Sequence, residues 1–353
     1  MVLKDLLIGI KNMHYDLIFY TFLIQILFYF IFRKKLLKSL IAFKLVDRPG
    51  KNKIHKNTVP IAGGLLVFFS LILYLFSNFF FSYFGNNLID KRITIFLFGT
   101  FFFFFIGLID DIFNLKAKNK IIIVGLFNLL LFQNSSFFNT NLLIFNNFII
   151  SGIIHIFSLS ILFTIIGFLT YHYSLVIMDG INGLFGSYII ILLLLLFLFF
   201  ELDYKLKSLI FYLILSLFFV TVLNYKGNLF FGNSGSLMMG TIIPYLLLYI
   251  YNIRENPFTT FTFLSLTIIP ILDMCRLFFI RTLSGRSPFA GDLNHFHHLL
   301  TKRFSLSISL IVYLLLCFLP FIIIYQFYLD PLLMVFIQIL FFFILINYLK
   351  KVN

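Results

Sequence analysis

Asp110 and Asp111 close an almost unbroken apolar stretch that begins at Gly99 and includes a Phe run from Phe101 to Phe105. Adjacent carboxylates repel each other and cost free energy to desolvate, so such a pair is kept where positive charge arrives. A divalent cation with oxygen ligands is the commonest partner of that kind. The plain alternative is two acids that end a helix at the water boundary. It fits poorly, because negative charge at a helix C-terminus opposes the macrodipole. Lys116, Lys118 and Lys120 follow. Carboxylates for a metal with cations a turn or two further on suit a pyrophosphate-type ligand, the metal bridging phosphate oxygens and the lysines neutralising the rest. The same lysines also read as a basic anchor flanking a membrane helix.

Other stretches carry chemistry of the same kind. Met178-Asp179-Gly180-Ile181-Asn182-Gly183-Leu184 interrupts two apolar runs. Its glycines around an acid and an amide predict a tight turn with accessible backbone N–H groups. Gly232-Asn233-Ser234-Gly235-Ser236 reads equally well as a cap for the helix that follows and as a ligand contact. Asp292 precedes His295-Phe296-His297-His298, which holds three of the chain's seven His. Such a cluster suits a transition metal, phosphate or proton transfer. No Cys accompanies it and Asp292 is too isolated to complete a tetrahedral set, so phosphate is preferred to zinc. His14, His155 and His172 stand alone and read as ordinary. The run from Asp47 to Lys56 is a basic loop attractive to anionic headgroups, with Lys53 and His55 suited to contact a phosphorylated substrate.

The elements that must position these residues are membrane helices. The chain is 61% hydrophobic and 11% charged, with a mean hydropathy of +1.05, whereas a soluble domain carries about a quarter charged residues. The 54 Phe and absent Trp look compositional, so the Phe runs carry little functional information. Cys275 and Cys317 lie in apolar segments and suggest no disulfide framework.

Hydrophobic windows predict an all-α polytopic membrane protein of about eleven spans, at 15–32, 61–84, 93–109, 121–133, 158–178, 184–200, 206–223, 236–252, 259–280, 305–325 and 332–349. The first window lacks a small-residue cleavage site and reads as a retained helix. Residues 134–157 suit a small periplasmic hairpin. No second domain, linker or internal repeat is visible, so residues 1–353 read as one integral-membrane domain. With the Arg33–Pro60 segment inside, 20 of the 27 Lys and Arg fall on the cytoplasmic side, which puts the N-terminus outside and the C-terminus in the cytoplasm. Asp47, Asp110, Asp111, Asp179, Asp273 and Asp292 are the acids of that side, with no Glu among them. They look placed rather than merely solvating.

Taken together, the motifs resemble a known family. Their order is Asp47-Arg48-Pro49, Lys53-x-His55, Gly63-Gly64, Asp110-Asp111, Asp179-Gly180-x-x-Gly183-Leu184, Phe230-x-Gly232-x-x-Gly235-Ser236 and Asp292-x-x-His295-x-His297-His298. It resembles the polyprenyl-phosphate N-acetylhexosamine-1-phosphate transferases, relatives of the phospho-N-acetylmuramoyl-pentapeptide transferase of peptidoglycan synthesis. The likeness covers roughly residues 45–300, and the histidine loop is similar to that of the branch using UDP-N-acetylglucosamine or like sugars.

The resemblance implies an Mg²⁺-dependent enzyme, with Mn²⁺ as an alternative ion, in the bacterial inner membrane with its site on the cytoplasmic face. Polyprenyl (undecaprenyl) phosphate would attack a UDP-N-acetylhexosamine, giving polyprenyl-diphosphate-sugar and UMP, the first membrane step of a cell-surface glycan such as an O-antigen or wall polymer. Asp110 would be the base or lipid-phosphate contact and Asp111 its neighbour near the metal. Asp179 and the position of Asn233 would hold the metal. Lys53, His55, Lys118, Lys120, Asn182, Asp292, His295, His297 and His298 would contact substrate. Membrane lipids are partners, a homodimer is compatible with the family, and nucleic acid is not expected.

The chain departs from the family pattern at three positions. Asn233 and Asn182 stand where the family has Asp, and Val176 stands where Asn is usual. Asn still offers a carbonyl oxygen to a hard cation, but a negative charge is lost. Two rival readings follow: an impaired member that holds the lipid carrier without turnover, and a transporter. Transporters place their sites near the midplane, often on internal repeats, and neither feature is visible.

Overall fold

A computed structural model of the chain describes residues 45–49, 58–82, 91–134, 157–251 and 259–351, with positions 23, 26 and 27. Lys53, His55, most of the window at 15–32 and the interior of the expected hairpin at 134–157 lie outside the described residues.

The named elements of the described chain are helices, except for a two-residue antiparallel pairing of β1 (Val46–Asp47) with β2 (Val59–Pro60). The helices are α1 (Gly63–Ser82), α2 (Lys91–Phe113), α3 (Ala117–Asn134), α4 (Phe157–Met178), α5 (Leu184–Phe199), α6 (Tyr204–Tyr225), α7 (Gly232–Tyr251), α8 (Thr260–Leu283), α9 (Phe296–Arg303), α10 (Leu306–Phe327) and α11 (Pro331–Lys351). All but the short α9 fall on expected windows. Among the described residues α6, α7, α8, α10 and α11 are long and apolar enough to cross a bilayer. Shorter apolar stretches lie within α1, α4 and α5. This is an all-α, multi-pass membrane architecture, as lipid demands of a chain whose backbone groups must all be paired internally.

Helix starts follow local chemistry. Asp203 accepts the Leu206 N–H at 2.8 Å to open α6, and Asp330 accepts the Leu333 N–H at 2.8 Å to open α11. Tyr328, in the left-handed region at φ 53°, stops α10, and Pro331 stands at the first position of α11, where its missing N–H costs nothing.

The residues form two compact units, each drawn from two separate chain stretches. In the unit of Met1–Asn114 with Phe185–Met239, α1 packs against α6 and, more lightly, α2. Phe68 stacks on Phe104 at 3.8 Å and Tyr74 meets Tyr212 at 5.2 Å. Phe103 and Phe104 are buried while Phe105 is exposed, so the Phe run divides between core and surface. The first amides of α1 have no intrahelical acceptors; Gly63 donates to the Phe230 carbonyl and Gly64 to that of Phe231, both at 2.9 Å. This ties the start of α1 to the segment that leads into α7.

In the unit of Leu115–Leu184 with Gly240–Asn353, α8 packs against α4, α10 and α11, and α9 lies on α10 and α11. Three prolines, Pro244, Pro270 and Pro320, stand inside helices of this unit, and each frees the carbonyl four residues earlier. Pro320 frees Leu316, whose carbonyl accepts from Gln338 Nε2 at 2.8 Å; the same amide donates to the Ser265 carbonyl at 2.9 Å. Pro244 frees Gly240, whose carbonyl accepts from the buried His172 ring. His172, an ordinary residue by sequence, thus repairs a backbone.

Candidate functional site

Asp111 sits in the last turn of α2 but serves another helix. Its Oδ1 accepts the Asn233 N–H at 2.7 Å and its Oδ2 the Ser234 N–H at 2.9 Å, with the Ser234 hydroxyl adding a further bond. These are the opening amides of α7, so the carboxylate lies at the positive end of that helix dipole. This is why an acid is tolerated at the C-terminus of α2. Close approach of backbones allows it: a Cβ on Gly107 would collide with the Asn233 and Ser234 backbone. Gly232 takes φ +74°, and a Cβ there would come within 2.8 Å of the Asp111 carboxylate. Asp110 is 1% exposed. Of the expected residues, Asp110, Asp111 and Asn233 are thereby gathered in the first unit.

The second unit holds Asp179, Asn182, Lys118, Lys120, Asp292 and the histidines. Lys118 is exposed and Lys120 half-buried on α3. Residues 179–183 form the expected turn between α4 and α5, with Gly183 at φ +84° and with Asp179 and Asn182 half-buried. The histidine loop packs directly on this turn. A Cβ on Gly180 would stand 2.6 Å from His297 Nε2 and 3.0 Å from His298 Nε2, so glycine is what lets the rings approach.

Asp273 organises that loop. His295 occupies the N-cap of α9 yet makes no capping bond of its own. Asp273, from α8, accepts the Phe296 N–H on both oxygens at 3.0 Å and meets His295 Nδ1 at 2.9 Å. A carboxylate can only accept, so the hydrogen of this bond sits on His295 Nδ1. Its Nε2 then faces Arg281 Nη2 at 3.4 Å. Arg281 also donates through Nε to Asp292 at 3.0 Å and through Nη1 to the Pro288 carbonyl at 2.9 Å. Arg276 Nη2 bonds Asp273 at 2.7 Å and the Asn294 carbonyl at 2.8 Å. Asp292 in turn accepts the Asn294 N–H at 2.9 Å.

Asp292 and His295 are thus engaged in internal bonds that shape the loop, whereas His297 Nε2 and His298 Nδ1 are buried with no hydrogen-bond partner. Burial, with His298 beside it, pushes the His297 ring well below the usual histidine range. Burial, then His295, lowers His298 to about 4. Both are neutral imidazoles at neutral pH. Partial burial pulls the Asp292 carboxyl up, but the Arg281 bond, the Asn294 amide and nearby positive charge outweigh it and leave it lowered.

Asp273, Arg276 and Arg281 were absent from the residues expected to form the site. Asp273 was visible only as one of the cytoplasmic-side acids; no spacing rule links it to a histidine 22 residues later. Among the described residues no group of three His, Cys, Asp or Glu converges to hold a metal alone. Asp111 has three of about four acceptor positions filled, leaving one for an outside ligand.

Fold and site together define a helical membrane protein with an acid pair, of which Asp111 caps a helix, and a carboxylate-ordered histidine loop. Residues 93–251 match the family model described as glycosyl transferase family 4. This match and the relatives that follow support the resemblance to the polyprenyl-phosphate N-acetylhexosamine-1-phosphate transferases that the motif order carries. It is similar to proteins named undecaprenyl-phosphate alpha-N-acetylglucosaminyl 1-phosphate transferase. The one from Escherichia coli O157:H7 is 25% identical over 301 residues, covering 80% of this chain and 74% of the relative. The Yersinia pestis protein is 24% identical over 296 residues, 80% and 75% of the two chains. The Salmonella typhi protein is 24% identical over 303 residues, 80% and 74%.

Proposed function

We propose that this protein transfers an N-acetylhexosamine-1-phosphate from a UDP-sugar to polyprenyl phosphate. An oxygen of the lipid phosphate forms a bond to the sugar-linked phosphorus, the bond from that phosphorus to the bridging oxygen breaks, and UMP leaves with the electron pair. The observation that carries the reading is the histidine loop. It presents two buried, unpartnered imidazole nitrogens beside a glycine turn, a lining that a diphosphate would satisfy. The names of the relatives support the lipid acceptor and the N-acetylglucosamine donor.

A phosphate monoester has its second pKa near 6, so the attacking dianion already predominates at neutral pH. Asp110 is proposed to position the lipid phosphate rather than to deprotonate it. Catalysis then falls to alignment and charge neutralisation. Asp111 and Asn233 in the first unit would hold Mg²⁺, and Asp179 in the second unit is likewise proposed as a metal-binding residue. A hard cation using one or two carboxylates, with phosphate oxygens and water for the rest, fits the single open acceptor position on Asp111. The ion would neutralise charge developing on the phosphates. Lys118, Lys120 and Asn182 are proposed as substrate contacts.

The test is direct. Membranes containing the protein are incubated with undecaprenyl phosphate, Mg²⁺ and radiolabelled UDP-N-acetylhexosamines, and lipid-linked sugar and UMP are measured. The expected result is both products in equal amount, abolished by EDTA. Folded protein that yields neither with any such sugar would sink the reading.

A further inference from the structure

We propose that Arg276 is a further substrate-binding residue of the histidine loop, one that grips a phosphate oxygen of the nucleotide-sugar diphosphate. The inference deepens, and rests on, the transferase reading above.

The starting point is an imbalance between two arginines of α8. Arg281 spends every nitrogen inside the protein, on Asp292, the Pro288 carbonyl and His295. Arg276 spends only Nη2, on Asp273 and the Asn294 carbonyl. Its Nε and Nη1 are buried without a hydrogen-bond partner, and the side chain is only 7% exposed. A guanidinium carries five N–H donors and cannot shed its charge. Three of the five are therefore desolvated and unpaired. Each such donor costs about 1–3 kcal/mol, more on a charged group, and a purely structural strap through Nη2 does not require it.

The surroundings name the ligand. Arg276 is bonded to the carboxylate that also holds His295, and the His295 ring stacks on His297 at 5.6 Å with the planes 6° apart. His297 and His298 carry the loop's other unpartnered nitrogens and, being neutral, bring donors or acceptors but no full positive charge. A fixed cation with free N–H groups next to neutral imidazoles suits an oxyanion, and guanidinium geometry matches phosphate oxygens. Asp273 offsets one unit of that charge, which leaves the cluster suited to a phosphate oxygen shared with other cations rather than to an anion held alone.

The test compares UDP binding by calorimetry in detergent for the wild-type chain and Arg276→Lys. Lysine keeps the charge and one donor for Asp273 and Asn294 but loses Nε and Nη1. The expected result is UDP affinity at least about tenfold weaker, with an unchanged melting temperature, as for loss of a charge-assisted hydrogen bond. Affinity within twofold of wild type in a folded variant overturns the proposal. Should Arg276→Lys fail to fold, Asp273→Asn is compared with Asp273→Asn/Arg276→Gln, which neutralises the buried pair together. Weaker UDP binding in the double variant than in the single supports the proposal; equal binding overturns it. A wild-type chain that binds no UDP and turns over no UDP-sugar removes the transferase reading itself, whatever Arg276 does.

Discussion

Asp111 and Asp273 perform the same physical task in the two units. Each reaches from one helix to the opening amides of another, α7 in one case and α9 in the other, and places negative charge at the positive end of a dipole. A capping carboxylate of this kind is pre-oriented, because its helix partners fix the plane of the group. Asn233 lies at one of these junctions, which makes Asn233→Asp informative. The added carboxylate restores a charge to the proposed ion site and also gains from the α7 dipole, against repulsion from Asp111. The expected outcome is that the Mg²⁺ concentration for half-maximal transfer falls several-fold, read from a metal titration of the transferase assay. No change means that the amide oxygen already suffices. The histidine loop yields a second expectation. His297 and His298 are neutral when folded, whereas an unfolded chain protonates them near pH 6.5. Their folded values lie below the unfolded one, so the unfolded state binds more protons as pH falls, and stability drops. Their contribution is fully present above about pH 6.5 and is lost as pH falls toward about 4, the His298 value. Melting temperatures across that range should decline in the wild-type chain, and less steeply in His298→Gln. Parallel curves for the two proteins would assign the decline to other groups.

At the scale of elements, the prolines show how membrane helices tolerate broken hydrogen bonds. Gln338 donates to the carbonyl that Pro320 orphans and to Ser265 on α8, so one amide joins three helices. Gln338→Leu should destabilise the protein by about 1 kcal/mol, the usual size of such bonds within membranes. The coupling is the sharper measurement. Pro320→Ala supplies an N–H to the Leu316 carbonyl, so the Gln338→Leu penalty should shrink in that background. An equal penalty in both backgrounds would mean that Gln338 acts through Ser265 alone. Hydropathy made the long helices legible: the window at 259–280 became Thr260–Leu283 and that at 305–325 became Leu306–Phe327. It could not reveal α9, eight residues of low hydrophobicity whose start is defined by Asp273 on another helix. The candidate residues were legible by type and motif order, since acids and histidines are costly at a membrane boundary. Their division of labour was not. That Asp292 and His295 are held by Arg281 while His297 Nε2 is unpartnered depends on contacts across α8 and the loop. No periodicity encodes such contacts.

For the whole molecule, the decisive property is which side of the membrane the reactive loops face. Within the second unit, α10 and α11 both have the length and apolarity of spans, and they are joined by a short turn at Tyr328 and Asp330. Crossing out and back puts the end of α9 on the same side as the end of α11. Both ends are basic, with Lys302 and Arg303 closing α9 and Lys350 and Lys351 closing α11. Each cation is costly to translocate, so the two pairs predict one orientation, in which the histidine loop and the C-terminal end of α11 should face the cytoplasm. Tyr328, 93% exposed in the intervening turn, should face the opposite side. Single cysteines at Lys302→Cys, Tyr328→Cys and Lys351→Cys, in a chain whose Cys275 and Cys317 are replaced by Ser and Ala, provide the check. A membrane-impermeant maleimide added to intact spheroplasts should label only the Tyr328→Cys protein, and lysis should open the other two. Labelling of Lys302→Cys without lysis would put the histidine loop outside, away from cytoplasmic nucleotide sugars, and would contradict the proposed reaction independently of any activity assay.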